Sequence, residues 1–136
     1  MRALAAIAAG GLLLAGCQTL APAPACPAGQ EYLRTAQLFF GRNVGDQPKV
    51  TEADFRRFMD EEVTPRFPDG LTVLDGGGQW RGASNKLIRE AAKVVLVVLP
   101  KGHGADSKLE AVRNAYKTWF HQESVLIVTQ PSCVSF

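Results

Sequence analysis

At 136 residues the chain has room for one domain with a modest core, and 46% hydrophobic and 21% charged residues are ordinary for a globular protein. Arg2 belongs to the amino-terminal segment. The rest of the chain has 14 basic and 13 acidic residues and is therefore nearly neutral. This balance excludes the basic stripe that nucleic-acid binding needs and the polybasic cluster that recruits anionic lipid.

The amino terminus has the pattern of a bacterial export signal. Arg2 precedes the apolar run 3–15, which is shorter than the roughly 20 residues of a permanent membrane span. The sequence L-A-G-C at 14–17 resembles the lipobox, in which a peptidase cuts before a cysteine whose sulfur receives diacylglycerol. We therefore predict a signal peptide over 1–16 and lipidation of Cys17. The alternative is an ordinary secretory peptide with an incidental cysteine.

A lipid on Cys17 would anchor the chain to a membrane, because each buried methylene adds about 0.8 kcal/mol of affinity. Gln18 follows, where aspartate is the usual signal for inner-membrane retention, so the expected location is the outer membrane of the cell envelope, facing the periplasm. Residues 17–29 are rich in proline and alanine and predict a tether. Residues 30–136 are expected to form a single domain.

Two further cysteines, Cys26 and Cys133, make an even pair in an oxidising compartment and predict a disulfide between the ends of the domain. The alternatives are two free thiols or a metal-binding pair. The chain has no Cys-x-x-Cys motif and only two histidines, which disfavours zinc. We expect no metal and no cofactor.

The first half of the domain predicts a strand and a helix. Residues 32–41 are rich in aromatic and aliphatic side chains and end at a glycine, as a strand would. Its apolar face consists of Ala36, Leu38 and Phe40. A polar loop over 42–50 leads to Thr51, the expected N-cap of a helix that Pro65 ends. The buried face of that helix is predicted to be Phe55, Phe58, Met59 and Val63.

The second half predicts two strands, a helix and a final strand. Residues 71–74 form the second strand, and Gly76-Gly77-Gly78 is expected to interrupt it with a bulge or a close backbone approach. After a polar connection, 94–99 is six apolar residues long and predicts a strand buried on both faces. Asp106 is expected to cap a second helix. The buried face of this helix is predicted to be Leu109, Val112, Tyr116, Trp119 and Phe120. The last strand covers 125–129, and Pro131 is expected to stop it.

This order predicts an α+β fold of the ferredoxin-like split βαβ type (β-α-β-β-α-β), a four-stranded antiparallel sheet with both helices on one face. In such a sheet the first and last strands are neighbours, which would place Cys26 beside Cys133. The other face of the sheet is left uncovered. Three explanations of the apolar third strand are open. A second subunit covers this face, or a ligand covers it, or the extra valines of the strand merely reflect β-propensity. A homodimer formed sheet to sheet is therefore a hypothesis.

Several polar and aromatic groups at strand ends and turns are candidates for binding a small ligand. They are Arg34, Gln37, Arg42, Arg66, Asp69, Trp80 and Arg81. Guanidinium groups gathered at one sheet edge would bind a carboxylate or phosphate. The alternative is structural: Arg66 pairs with Asp69 in the turn, and Arg81 covers Trp80. His103, in a Lys-Gly-His-Gly loop, is a weak catalytic candidate.

Recognised catalytic patterns are missing from the sequence. The triple glycine lacks the spacing of a phosphate-binding loop, there is no G-x-S-x-G motif, and no pair of carboxylates is placed for acid–base chemistry. The sequence therefore leans against an enzyme. Three hypotheses stand: a binding module for an unidentified partner or ligand, a small enzyme of dimeric ferredoxin-like type, and a structural accessory protein. The enzyme would require Arg42, Arg66, Trp80 and His103 to converge on one pocket.

Two stretches resemble a known family. R-T-A-Q-L-F-F-G-R at 34–42 and T-P-R-F-P-D-G-L-T-V-L-D-G-G-G-Q-W-R at 64–81 resemble the domain of unknown function 3574, a family of small bacterial envelope proteins. Many of its members resemble lipoproteins. The resemblance implies one compact domain and a location in the envelope, and it supplies no reaction, cofactor or catalytic residue.

Overall fold

The computed structural model describes residues 25–44, 47–81 and 84–136. The predicted signal peptide and Cys17 lie outside these residues. Within the described part of the chain, none of the helices has the length and apolar character needed to cross a membrane.

The main sheet has four antiparallel strands in the order β4-β5-β1-β6, and two helices lie on one of its faces. The elements in chain order are β1 (Glu31–Gly41), β2 (Asn43–Val44), β3 (Gln47–Pro48), α1 (Glu52–Phe58), β4 (Leu71–Arg81), β5 (Leu87–Val98), α2 (Ala105–Phe120) and β6 (Leu126–Val134). The strands β2 and β3 pair with each other inside the segment predicted as a loop. The predicted ferredoxin-like fold is confirmed.

Helix α1 begins where the sequence predicts it. The Oγ1 atom of Thr51 accepts a hydrogen bond from the backbone N–H of Asp54 (3.1 Å), and a carboxylate oxygen of Asp54 accepts one from the backbone N–H of Thr51 (3.2 Å). This reciprocal capping box satisfies two N–H groups that the first turn leaves unpaired. A π-helical turn, Met59–Val63, continues the helix to Thr64, and Pro65 follows.

The core lies between the helices and one face of the sheet, which we call the covered face. Its centre is a cluster of aromatic rings in which Phe40, Phe58 and Tyr116 are fully buried. The ring of Phe58 contacts five other aromatic rings with centroid separations of 5.0–6.3 Å. The Tyr116 hydroxyl donates a hydrogen bond to the Gly41 carbonyl (2.8 Å), and burial raises the pKa of this phenol. The helix faces predicted from the 3.6-residue period are confirmed, except that Trp119 and Phe120 of α2 pack against the core while only partly buried.

The disulfide between Cys26 and Cys133 is confirmed, with Cα atoms 5.5 Å apart. Tyr32 near the start of β1 pairs with Cys133 near the end of β6. The bond therefore closes the domain at the point where its first and last strands meet.

The triple glycine does not interrupt a strand, so the predicted bulge is wrong. Strands β4 and β5 pair in one unbroken antiparallel register, from Leu71 opposite Val97 to Arg81 opposite Leu87. The end of the predicted polar connection over 82–90 is consequently strand, because β5 begins at Leu87. An alanine side chain at Gly76, Gly77 or Gly78 would meet only ordinary van der Waals contacts of 3.5–3.8 Å. No close backbone approach explains these glycines.

Three other predictions from the sequence are wrong in detail. Pro131 does not stop the last strand; it pairs with Arg34 inside β6, because an edge strand tolerates a residue without an N–H. Asp106 does not cap α2, whose N-cap is Gly104 in the left-handed region (φ 105°). Strand β5 is buried on its covered face alone, since Leu96 on the other face is 38% exposed.

Candidate functional site

The arginines proposed to bind an anion are distributed over the molecule, and each is engaged within the protein. Arg34 pairs with Asp106 (2.8 Å) and holds the pKa of that carboxyl below its ordinary value through its hydrogen bond. Arg42 pairs with Glu52 and donates to the Val50 carbonyl. The remaining two have local partners: Arg66 pairs with Glu62 rather than Asp69, and Arg81 donates to the carbonyl of Asn85. These four arginines therefore do not form an anion-binding cluster.

The other candidate residues also lie apart. Asp69 lines a concavity of about 370 Å³ beside Leu96 and Pro100, whereas Trp80 lines a different one at the opposite end of the sheet. His103 lies in the loop before α2 and lines neither concavity. Gln37 pairs with Leu96 and Val128 in the middle of the sheet.

The face of the sheet opposite the helices, which we call the open face, carries almost no charge. Its twenty-two side-chain positions are Glu31, Leu33, Thr35, Gln37, Phe39 and Gly41 of β1; Thr72, Leu74, Gly76, Gly78 and Trp80 of β4; Ile88, Glu90, Ala92, Val94, Leu96 and Val98 of β5; and Leu126, Val128, Gln130, Ser132 and Val134 of β6. Its two ionisable side chains are Glu90, near one end, and Glu31, at the other end, where it pairs with Lys101 (2.7 Å). Large apolar side chains on three of the four strands are exposed: Leu74, Trp80, Leu96, Leu126 and Val128.

The larger concavity, of about 750 Å³, is a depression at one end of the open face, and we call it the glycine pocket. The triple glycine lies on one side of it, and the segment 121–124 after α2 lies on another. Phe39, Val94 and Leu126 supply apolar surface. The lining includes the ionisable side chains of Glu90, His121 and Glu123 and, among the described residues, no lysine or arginine.

Glu90 is held in one orientation at the margin of this pocket. One of its carboxylate oxygens, Oε2, accepts a hydrogen bond from the backbone N–H of Asn43 (3.0 Å). The other, Oε1, lies over Gly41 so closely that a Cβ atom on residue 41 would be 2.4 Å from it. Glycine at position 41 is therefore required for this placement of the carboxylate.

Hydrogen bonding also fixes the segment after α2 that borders the pocket. The Gln122 side-chain amide donates to the Asn43 carbonyl (2.6 Å), so Asn43 contacts both Glu90 and this segment. His121 is the C-cap of α2 in the left-handed region (φ 51°), and its N–H bonds to the Lys117 carbonyl. These contacts shape one wall of the pocket without filling it.

A cluster of charges on the covered face was not expected from the sequence. Lys93 is buried and pairs with the carboxylates of Asp75 (2.6 Å) and Glu52 (2.8 Å). Hydrogen bonds from Lys93 lower the pKa of both carboxyls, and the same bonds raise the pKa of Lys93. Every member of the cluster is paired, so we interpret it as a structural link between α1 and the edge strand β4. Among the described residues, no group of three or more His, Cys, Asp or Glu side chains is placed to hold a metal ion.

Sequence reasoning missed Glu90 and Lys93 as residues of interest. The signal for Lys93 was its position in the strand, because it alternates in phase with the buried Val95 and Val97. Glu90 has no such signal, since the groups that hold it, Gly41 and Asn43, are more than 45 residues away in the chain.

The fold and the site define a small α+β protein of ferredoxin-like topology, with an uncovered apolar sheet face and a depression at one end of it. The chain belongs to the family described as protein of unknown function (DUF3574), whose model matches residues 35–136. This confirms the resemblance that residues 34–42 and 64–81 carry. A search of the curated proteins finds no match.

Solved structures with the same fold include a phage SAM lyase in complex with S-methyl-5'-thioadenosine, with a TM-score of 0.59 and 19% identity over 83% of this chain and 95% of that one. The same lyase in its apo state gives 0.57 and 20% over 77% and 90%. CutA from Synechococcus elongatus gives 0.50 and 10% over 75% and 78%. At these identities the likeness shows the fold alone.

Proposed function

We propose that this protein is a non-catalytic binding module of the bacterial cell envelope. A lipid on Cys17 anchors it to the outer membrane, and two copies form a homodimer through their open faces. The anchor is supported by the L-A-G-C sequence after the apolar amino-terminal run. The Pro- and Ala-rich segment that follows supplies the tether between lipid and domain.

The observation that carries the binding role is the composition of the open face. Exposed apolar surface that spans several strands is a mark of an interaction site, because a monomer gains nothing by leaving it in water. Twenty-two positions also match the 20–30 residues that each partner contributes to a standard stable interface. Leu96, in the centre of the open face, is 38% exposed, so the exposed apolar surface is not confined to the edges of the sheet.

A second copy of the chain is the occupant that this surface fits best. A two-fold interface places the same patch on both partners, so the patch must be complementary to itself. The open face meets this condition because it has no like-charge cluster that would repel its own copy. Its two ionisable groups, Glu90 and Glu31, lie at opposite ends, and Glu31 is paired with Lys101. A pairing that reverses the strand direction therefore keeps the two Glu90 carboxylates apart and turns each toward a neutralised ion pair.

The enzyme hypothesis gains no support from the geometry. It required Arg42, Arg66, Trp80 and His103 to line one pocket, and of these four only Trp80 lines the glycine pocket. Arg42 and Arg66 instead form ion pairs with glutamates on α1 and on the π-helical turn that continues it.

Replacing Val128 with glutamate is expected to convert the dimer to a monomer, because two added carboxylates would be buried against an apolar face. The full chain, purified from membranes in detergent, is measured by native mass spectrometry over a range of concentrations. Val73→Glu is the matched control, since Val73 and Val128 are both 40% exposed and Val73 is on the covered face at the sheet edge. A wild-type mass that is monomeric at every concentration would refute the dimer.

A further inference from the structure

The triple glycine has no explanation in the backbone. Gly76, Gly77 and Gly78 continue a regular strand ladder, and the glycines with positive φ are elsewhere, at Gly29, Gly70, Gly102 and Gly104. Each of the three has room for a Cβ atom. Glycine weakens a strand because it loses more conformational freedom on folding than other residues. We infer that these positions lack side chains because a ligand occupies the space that side chains would fill.

The bare positions open a space between an aromatic ring and a carboxylate. Gly76 and Gly78 present no side chain to the open face, and both line the glycine pocket. A Cβ atom built on Gly78 would have the Cγ atom of Glu90 at 3.6 Å and the Cζ3 atom of Trp80 at 3.8 Å. Trp80 is 43% exposed, so part of its ring is available to stack on a ligand.

The polar groups of the pocket select the charge of the ligand. Glu90 Oε2 is bonded to Asn43, and Oε1 has no hydrogen-bond or ion-pair partner among the described residues, so it is free to accept a bond from a ligand. Glu123 adds a second carboxylate, and no described lysine or arginine lines the pocket. A phosphate or carboxylate would therefore meet like charge, whereas hydroxyl and amino groups would be favoured.

We propose that the glycine pocket binds a nucleoside without a phosphate, with its base against Trp80 and the bare strip of β4 and its sugar hydroxyls donating to Glu90. Stacking of a base on an aromatic side chain and bonding of a ribose hydroxyl to an acidic residue are both established modes of recognition. The volume of about 750 Å³ is in the usual range for small-molecule sites. This inference rests on the proposed binding role and names the class of its ligand; a second copy on the open face would close over the pocket.

The test is calorimetric titration of the full chain in detergent with two probes, adenosine and adenosine 5'-monophosphate. Adenosine is expected to bind at least about tenfold more tightly than the monophosphate, because the phosphate adds charge near two carboxylates. Glu90→Gln is expected to weaken adenosine binding about tenfold or more, the effect of losing a hydrogen bond to a charged group.

The matched pair of variants is Gly78→Ala and Val73→Ala. Both place an alanine in strand β4, but residue 78 faces the glycine pocket, whereas residue 73 is on the other side of the sheet and outside the pocket lining. Gly78→Ala is expected to weaken adenosine binding at least about tenfold, and Val73→Ala is expected to leave it unchanged. Equal effects of the two variants, or no adenosine binding by the wild type at millimolar concentration, would overturn the site.

Failure of the site and failure of the dimer can be told apart. Binding of adenosine by a protein that stays monomeric supports the pocket and refutes the dimer. A concentration-dependent dimer that binds neither probe refutes the pocket and leaves the dimer in place.

Discussion

Replacing both Cys26 and Cys133 with alanine is expected to lower the free energy of unfolding by about 4–5 kcal/mol. The disulfide joins residues 107 positions apart, so without it the unfolded chain regains the freedom that closing so long a loop removes. Domains of this size are stable by only about 5–15 kcal/mol, so this change removes a large share of the total.

Urea unfolding followed by circular dichroism measures the disulfide effect. Wild-type protein treated with a reductant is the control, and it should unfold at the same urea concentration as the double variant. A loss smaller than about 1 kcal/mol would contradict a structural role for this bond and would mean that strand pairing alone holds β1 to β6.

Replacing Phe58 with alanine is expected to cost about 3–5 kcal/mol of stability, the usual range for deleting a buried phenylalanine. Phe58 is fully buried, and its ring contacts aromatic rings of β1, α1 and α2. The rings around Phe58 also contact one another, as Tyr116 contacts Phe40 and Phe120, so filling the space would break those contacts and much of the cavity would stay open.

The control for Phe58 is the same substitution at Phe136, which is 99% exposed. Phe136→Ala should change the free energy of unfolding by no more than about 0.5 kcal/mol. Equal losses at the two positions, measured by urea unfolding, would contradict the placement of the core between the helices and the covered face.

The element order, the faces of the helices and the disulfide could be predicted because their signals are local or periodic. The alternation of Ala36, Leu38 and Phe40 shows which side of β1 is buried, and Thr51 with Asp54 marks the start of α1. The position of each strand within the sheet has no local signal. Pro131 therefore predicts the end of a strand, although β6 is an edge strand that accepts a proline.

The site was harder to predict because it depends on pairings between distant residues. Arg34 and Asp106 are 72 positions apart, and nothing in the sequence shows that the guanidinium of Arg34 is already engaged in an ion pair with Asp106. Trp80 could be selected as an unusual exposed aromatic residue, but Glu90 becomes recognisable only when Gly41 and Asn43 are placed beside it. The triple glycine is conspicuous in the sequence, but its regular strand conformation, which only the structure shows, points to a ligand rather than to a bulge.

Photo-crosslinking in the intact envelope tests most directly whether the open face is the surface through which two copies of the protein bind each other. The crosslinking amino acid p-benzoylphenylalanine replaces Leu96, in the middle of the open face, or Val73, which is similarly exposed on the covered face. We predict that illumination of the position-96 variant gives a covalent dimer in the outer-membrane fraction and that the position-73 variant gives none. Recovery of the position-96 variant as uncrosslinked monomer, or in a fraction that contains no membrane, would contradict the proposed function.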